Sequence, residues 1–313
     1  MELRQLAALT AVAETGSFSA AARRLHTVQS NVSTHVARLE RELGVTLVDR
    51  RTGALTEEGA VVVERARRIR HEVESLQADI ASMRDEVSGT VRLGCIGTVS
   101  RWLVPRLLRL LAERHPKVHL VTVDATTTSL VPQVVSEDLD LAVINLPLAH
   151  TDLATEPLFD EDRVILAPND HPLAARDRVH LAELAPYPLL LEPAGTAFRD
   201  QLDEEAARAG VELQVLAEID GIRLLTSLAI EGFGPAMVTA TAAPRWVEVA
   251  CARVAVEGLT PRSVGLTVPR SGRLSVPARE VRLAVRELVA AADIDGIHPT
   301  LGGRASRNAA PPQ

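Results

Sequence analysis

Residues 16–44, GSFSAAARRLHTVQSNVSTHVARLERELG, hold two short helical patterns separated by a tight polar turn and closed by a glycine. Phe18, Ala21, Ala22 and Leu25 recur at helical spacing after Ser17, whose hydroxyl can cap the first helix by accepting a bond from an otherwise orphan backbone N–H. Thr27 can cap the second helix in the same way. That second pattern puts Val32, Val36, Leu39 and Leu43 on one face and leaves Gln29, Ser30, Asn31, Ser33, Thr34, His35 and Arg38 polar at or near its start. Together the patterns read as a helix-turn-helix, with an ordinary surface helix pair as the blander alternative. An uncharged polar helix start suits the reading of base edges. Gln and Asn can pair with adenine, Ser and Thr can bond base or phosphate, and a helix N-terminus favours an anionic phosphate.

On the N-terminal side, Leu3, Leu6, Leu9, Val12 and Ala13 form a helical face that can pack on the two helices. On the C-terminal side, Val45–Val48 and Ala54–Leu55 are short apolar pieces around Arg50, Arg51 and Gly53, which suits a hairpin wing with phosphate-contacting arginines or a solvated turn. Thr56 then opens a long helix with Val62, Ala66, Ile69, Val73, Leu76, Ile80, Met83 and Val87 spaced alternately four and three apart. This repeat is that of a coiled-coil seam, and so narrow a stripe predicts self-association over packing within one domain.

Beyond Gly89 apolar runs alternate with helical segments, the sequence form of a parallel sheet flanked by helices. Strands are expected near 91–96, 118–123, 139–144, 163–167, 188–191, 213–219, 236–240, 253–256 and 264–268. Helices are expected near 101–114, 129–136, 198–209, 222–231 and 276–292. The tail, with Gly302, Gly303, Pro311 and Pro312, is expected to be disordered. Hydroxyls gather where helices start after strands: Thr98 and Ser100, then Thr126, Thr127 and Thr128, then Gly195 with Thr196. Helix N-termini beyond strand ends suit a small polar or anionic ligand, with Arg101 as a charge partner and Gly232, Gly234 and Pro235 shaping the far wall. The same threonines can also simply cap their helices.

Composition narrows the function classes. The 313 residues suit more than one domain, and only 2% are aromatic, so the cores must be aliphatic. A formal charge of −7 argues against a simple polybasic nucleic-acid binder, and residues 1–60 balance seven Arg against seven Asp or Glu. Any positive surface must come from arrangement. Of the 34 cationic residues only Lys117 is lysine, a bias better attributed to genome composition than to DNA contact. Cys95 and Cys251 form no CxxC and no disulfide framework, which fits a reducing cytoplasm, and Cys95 reads as a buried apolar residue before a redox sensor. The start MELRQLAAL has no signal-peptide pattern, and no stretch approaches the roughly 18 apolar residues of a membrane span. No GxSxG, P-loop, GxGxxG, HExxH or Cys/His metal spacing occurs, so no catalytic residue, metal or cofactor is assigned.

The segment MELRQLAALTAVAETGSFSAAARRLHTVQSNVSTHVARLERELGVTLVDR resembles the N-terminal winged helix-turn-helix of the LysR-type transcriptional regulators. RLLRLLAERHPKVHLVTVDATTTSLV, DLDLAVI, the HPLA of His171–Ala174 and LAELAPYPLLL resemble that family's effector-binding domain in order and spacing. Ala8 and Leu9 stand where the pattern carries aromatics, Val48 where it carries Phe, and Ser30 where Pro is common, and the wing between Arg50 and Leu55 is short. The resemblance implies an α/β architecture with a winged helix-turn-helix over residues 1–58 and a linker and dimerisation helix over 59–88. An effector-binding domain like type 2 periplasmic binding proteins follows over 89–293, with lobe 1 about 89–161 and 267–293, lobe 2 about 162–266, and a tail over 294–313.

It further implies a DNA-binding regulator whose operator binding is modulated by a small metabolite in the cleft. DNA contacts fall to Ser17, Gln29, Ser30, Asn31, Ser33, Thr34, Arg38, Arg50 and Arg51, and effector contacts to Thr98, Ser100, Arg101, Thr126, Thr127, Thr128, Gly195 and Thr196. The implied partners are double-stranded DNA, a small effector and a second copy in a homodimer or dimer of dimers, with RNA polymerase a further candidate. A two-lobed binding protein or enzyme with an incidental N-terminal domain is the alternative, and the first 60 residues discriminate between the two.

Overall fold

A computed structural model describes residues 1–83, 86–242, 250–270 and 274–300. The first 56 residues fold as three helices and a small wing. Helix α1 spans Leu3–Thr15, α2 Phe18–Arg24 and α3 Gln29–Leu43, with Gly44 in the left-handed region ending α3. Val48 and Leu55 form an antiparallel bridge at the base of the wing. Leu9, Val12, Ala21, Ala22, Val32, Val36, Leu39, Leu47 and Val48 make the core. Ala8, Leu9 and Val48 are all buried, so the positions where aromatics were expected carry aliphatic packing instead.

Helix α4, Glu57–Ser82, starts on Thr56, whose hydroxyl accepts from Gly59 N–H. A Cβ at Gly59 would lie 2.0 Å from the Leu47 carbonyl oxygen, so only glycine lets the helix start so close to the wing. Its 26 residues reach about 39 Å, long enough to separate two domains. The helix ends at Met83, and the expected seam position Val87 lies beyond it in the sequence.

The rest forms two lobes, each around a six-stranded sheet. In chain order the elements are β1 Ser88–Cys95, α5 Gly97–Arg114, β2 Lys117–Asp124, α6 Thr127–Val135, β3 Leu141–Asn145, β4 Leu153–Glu161, β5 Arg163–Pro168, β6 Arg178–His180 and β7 Leu189–Leu191. Then come α7 Ala197–Arg208, β8 Val215–Glu218, α8 Ile222–Ile230, β9 Ala236–Thr239, β10 Cys251–Glu257, β11 Arg262–Pro269, α9 Val276–Ala290 and β12 Ile297–Pro299. The first sheet runs β12-β4-β11-β3-β1-β2 and the second β6-β10-β5-β9-β7-β8.

The sheets are mixed rather than parallel. β1 runs parallel to β2 and β3, but β11 and β4 enter antiparallel, and β5 is antiparallel to both of its neighbours. Two short connections carry the chain between lobes, one at Asp162 between β4 and β5, the other between β10 and β11. β11 pairs with the first sheet from Arg262 onward, which places residues 262–266 in lobe 1 rather than lobe 2. The expected disorder from residue 294 is also corrected: β12 adds to the first sheet through Ile297–Glu161 pairing, and Ile297 is buried in its core. Residues 301–313 of that tail lie outside the described residues.

Lobe 1 packs α5, α6 and α9 on its sheet, with Trp102 edge-on to Phe159 at 5.8 Å between ring centres. Lobe 2 buries both faces of its sheet, under α7 on one side and α8 on the other. Helix α4 docks on lobe 1, where Asp79 Oδ1 accepts from Val276 N–H at 2.7 Å and Arg92 donates to Glu74 at 3.0 Å.

Candidate functional site

Two regions gather the residues singled out in the sequence. The first is the exposed start of α3. Gln29, Ser30, Asn31, Thr34 and Arg38 are exposed and Ser33 is half-buried. The residue capping α3 is Val28, which offers no side-chain acceptor, and not Thr27. Thr27 Oγ1 instead accepts from Asn31 Nδ2 at 3.0 Å. Ser17 does cap α2, accepting from Ala20 N–H at 3.1 Å.

The wing arginines divide in role. Both are exposed, but the Arg51 N–H is held by Asp49 Oδ1, whereas the Arg50 guanidinium is bonded back onto the domain. Arg50 donates to Glu40 Oε2 at 2.8 Å and to Ser33 Oγ at 2.9 Å, and its guanidinium stands 5.1 Å from the centre of the Phe18 ring. The expected phosphate contact is therefore engaged as a brace between wing, α2 and α3. Burial works against the charged Glu40, but bonds from Arg50 and from the Leu47 and Val48 N–H groups outweigh it and hold the carboxyl below its ordinary range.

The expected seam on α4 also divides. Ala66 is buried in the core of the N-terminal winged domain and Val62 packs against it, so these two positions are used within the chain. Further along, Ile69, Leu76, Ile80 and Met83 are exposed, the last three at 61%, 49% and 79%, while Val73 is half-buried.

The second region lies between the lobes. Thr98, Ser100 and Arg101 occupy the first turns of α5, and two of them reach lobe 2. Arg101 donates to the Ala242 carbonyl at 3.0 Å, and Thr241 Oγ1 lies 3.4 Å from the Thr98 carbonyl. Ser100 Oγ donates to Gly97 O at 3.0 Å. Thr126 and Thr128 hydroxyls are 2.9 Å apart, and Thr127 Oγ1 accepts from Asn145 N–H. Thr196 caps α7 by accepting from Arg199 N–H, and Gly195 N–H is held by Asp200. Capping is thus the visible role of Thr196 but not of Thr98.

Four side chains that the sequence did not single out tie this region together. Glu161 at the end of β4 is wholly buried and pairs with Arg262 at the start of β11, across the two crossings. Its other oxygen accepts from the Thr241 N–H at 2.7 Å and hydroxyl at 2.6 Å, and Arg262 also donates to Thr98 Oγ1 at 3.0 Å. The fourth, Glu192 just after β7, is half-buried. The only sequence signal for Glu161 and Arg262 is that charged residues stand at the ends of apolar strands. Nothing in the pattern says that they meet. Among the described residues no cluster of His, Cys, Asp and Glu could hold a metal ion, and no helix is long and apolar enough to cross a membrane.

A winged three-helix domain carried by a long helix on a two-lobed α/β domain defines a DNA-binding protein of the ligand-responsive kind. Two family models match, the bacterial regulatory helix-turn-helix protein of the lysR family over residues 3–60 and the LysR substrate binding domain over residues 84–290. The chain belongs to the LysR family of transcriptional regulators. It is 32% identical over 292 residues to a probable hydrogen peroxide-inducible genes activator of Mycobacterium leprae, covering 91% of this chain and 93% of that protein. Its fold is like that of a full-length OxyR cysteine-to-aspartate variant from Pseudomonas aeruginosa, with TM-score 0.72, 23% identity and coverage of 97% and 99%. It is also like full-length CbnR complexed with its target DNA, with TM-score 0.70, 25% identity and coverage of 93% and 99%.

The Arg50 brace makes the wing sensitive to acid. Because the folded-state pKa of Glu40 is lowered, its stabilisation is present above the ordinary carboxylate value and is lost as pH falls through the lowered one. Amide exchange at Asp49–Ala54 is expected to quicken as pH drops through that window, after correction for intrinsic rates. Arg50→Ala should abolish most of this pH dependence while costing no more than about 1 kcal/mol of global stability, since the pair is part-exposed. An unchanged pH profile in the variant would remove the brace.

Proposed function

We propose that this chain reads an operator through the start of α3 and that a small molecule in the interlobe cleft modulates that binding. The observation that carries the reading is the exposed polar start of α3, capped by no side chain, on a winged domain. Gln29, Ser30, Asn31 and Thr34 read base edges there. Ser33 does so while bonded to Arg50. Arg38, Arg51 and the α2 cap Ser17 position the phosphates, and Arg50 acts on them through the wing it holds. Such a regulator works where the DNA is, in the cytoplasm, and RNA polymerase is its further partner. Gln29→Ala should cost about 1–3 kcal/mol of discrimination between the selected operator and a mutated one, measured by competition binding. Equal weakening on every duplex would take base reading away from Gln29.

The working unit is a homodimer, itself able to pair, because a helix-turn-helix reads two half-sites and the exposed Ile69, Leu76, Ile80 and Met83 give α4 an unpaired apolar stripe. Val73 continues that stripe, while Val62 and Ala66 anchor the helix to its own domain. Ile80 is half exposed in the single chain, so Ile80→Asp should leave the fold intact and abolish the dimer in light scattering. Retained dimer in that variant would move the interface off this stripe.

The names of the relatives raise a second reading, response to hydrogen peroxide. Peroxide oxidises a thiolate, which must be accessible and of low pKa. The sequence holds two cysteines only. Cys95 is wholly buried in β1, where burial and then the charge of Asp124 push its thiol far up. Cys251 is half-buried, its Sγ bonded to the Ala229 carbonyl at 3.1 Å, and burial raises it too. They stand on different sheets. The ligand reading is therefore preferred, with Thr98, Ser100 and Arg101 as its first contacts and Thr126, Thr127, Thr128, Gly195 and Thr196 around them. Brief treatment with equimolar peroxide at neutral pH should leave both thiols unmodified by mass spectrometry and operator affinity unchanged. Oxidation of either cysteine with altered DNA binding would restore the peroxide reading.

A further inference from the structure

Past Ala66, which is buried in the core of the winged domain, Ala78 is the only buried residue of α4. The seat of the helix on lobe 1 is therefore made by polar contacts. Arg68 Nη2 donates to the Val135 carbonyl at 3.0 Å, and Arg67 lies 3.8 Å from Asp138 and 3.8 Å from Glu14 of α1. Arg92 of β1 donates to Glu74, and Asp79 accepts from Val276 N–H where α9 starts. Between α4 and β1 these contacts leave a cavity of about 330 Å³, whose lining includes His71, Glu74, Ser75, Thr90 and Arg92. A helix held in this way can shift without giving up close packing.

One contact in the seat can change its charge near neutrality. His71 Nε2 lies 3.3 Å from Asp140 Oδ1, and the two side chains are 19% and 2% exposed. Asp140 stands just before β3, and its other oxygen accepts from Arg92 N–H at 2.6 Å. The charged groups around the pair are Arg92 of β1, Glu74 one turn along α4, Arg67 and Arg68 one turn back, and Asp138 beside Asp140. From the α9 side the seat is met by Ser275 and by the Val276 N–H on Asp79. Guanidinium and carboxylate groups ordinarily keep their charge between about pH 6 and 8, whereas an imidazole exchanges its proton there. Burial pushes the Asp140 carboxyl up against the Arg92 N–H bond and the charges of His71 and Arg92, and Glu74 adds to the rise. Imidazole and carboxyl thus compete for one proton, which belongs to the pair.

We propose that the His71–Asp140 contact is a proton-operated latch that fixes α4 on lobe 1 and through it sets operator binding. The effect on DNA rests on the reading of α3 as the operator-reading helix, and the latch itself does not. When the pair takes up one proton, Nε2–H of a charged imidazole donates to the buried carboxylate and ties α4 to the entrance of β3. When that proton leaves, the carboxylate faces a neutral ring and the remaining contacts hold the helix less firmly. A contact that binds a proton better closed than open is favoured as pH falls and loosens as pH rises. One linked proton changes the opening equilibrium by at most about tenfold per pH unit.

Amide exchange of residues 67–82 in the full chain, corrected for intrinsic rates, is expected to slow at least about threefold from about pH 7.5 to 6.0. His71→Gln stays polar but takes no proton, and Asp140→Asn can still accept from Arg92 N–H but carries no charge. Each variant should flatten the profile, with circular dichroism and melting to show that the fold is kept. A flat profile in the parent chain, or the parent profile retained in either folded variant, overturns the latch. Operator affinity over the same pH range should change at least about threefold more in the parent chain than in His71→Gln. An equal change in both overturns the link from latch to DNA. Gln29→Ala separates the two levels: if it discriminates operators as the parent chain does, the reading by α3 falls, while the exchange result still decides the latch.

Discussion

The contact between Glu161 and Arg262 is the constraint on which the two-lobed domain depends. Each residue sits at the end of a strand where the chain crosses between lobes, and both are buried. Taking two charges out of water is costly, and the buried carboxylate is tolerable because both of its oxygens are bonded. Thr241 of lobe 2 satisfies one carboxylate oxygen twice, and Thr98 of lobe 1 takes a guanidinium N–H. Loss of either charge would strand the other, a change of about 3–5 kcal/mol by comparison with similar buried pairs. The pair therefore does more than join two strands. It fixes the start of α5 relative to the end of β9, the two walls of the cleft.

A third strap crosses the same hinge. The segment after α9 runs beside β4, with Asp162 N–H donating to Gly296 O at 2.8 Å and the Asp162 carbonyl accepting from Ala240 N–H at 2.9 Å. Asp295 pairs with Arg253 of lobe 2 while Ile297 is buried in lobe 1. A Cβ on Gly296 would stand 2.6 Å from that of Ala240, so the strap lies against lobe 2 with no room to spare. Lobe motion must accordingly be worked at this hinge, since β12, β4 and β11 are joined there by backbone pairing.

Much of this was legible in the sequence because periodicity survives in an aliphatic chain. The helix-turn-helix, the long α4 and most strands of the two lobes follow from spacing and punctuation. β4 escaped because Pro157 and the charged Glu156, Asp160 and Glu161 interrupt its apolar pattern. It nonetheless pairs on both edges, with a register shift opposite Gly265 that absorbs the irregularity. β6 and β12 are three residues each, too short for a pattern. The mixed direction of the sheets was hidden for a different reason: parallel and antiparallel buried strands carry the same apolar run. At the sites, single-residue chemistry singled out Thr98, Gln29 and Arg50, but nothing local reveals that Glu40, ten residues before Arg50, bonds its guanidinium. Glu161 and Arg262 are 101 positions apart, and only the fold brings them together.

Communication between cleft and DNA must pass through α4, and the contacts that would carry it are specific. α5 follows directly on β1, and β1 is where α4 is seated. Arg92 of β1 reaches Glu74, its N–H bonds Asp140 at 2.6 Å, and Asp140 in turn lies 3.3 Å from His71 Nε2. Burial keeps the Asp140 carboxyl above its ordinary range despite those partners, which marks the contact as enclosed rather than solvent-bathed. Ala78 packs where a Cβ on Gly89 would come within 2.9 Å, so α4 and β1 meet nearly backbone to backbone. At its other end α4 buries Val63 and Ala66 in the core that supports α3. A shift of lobe 1 about the hinge is thus transmitted by close packing and paired charges at both ends of one rigid helix. With α4 also carrying the exposed apolar positions proposed for self-association, a rotation of lobe 1 would, in that dimer, change the spacing of two reading helices.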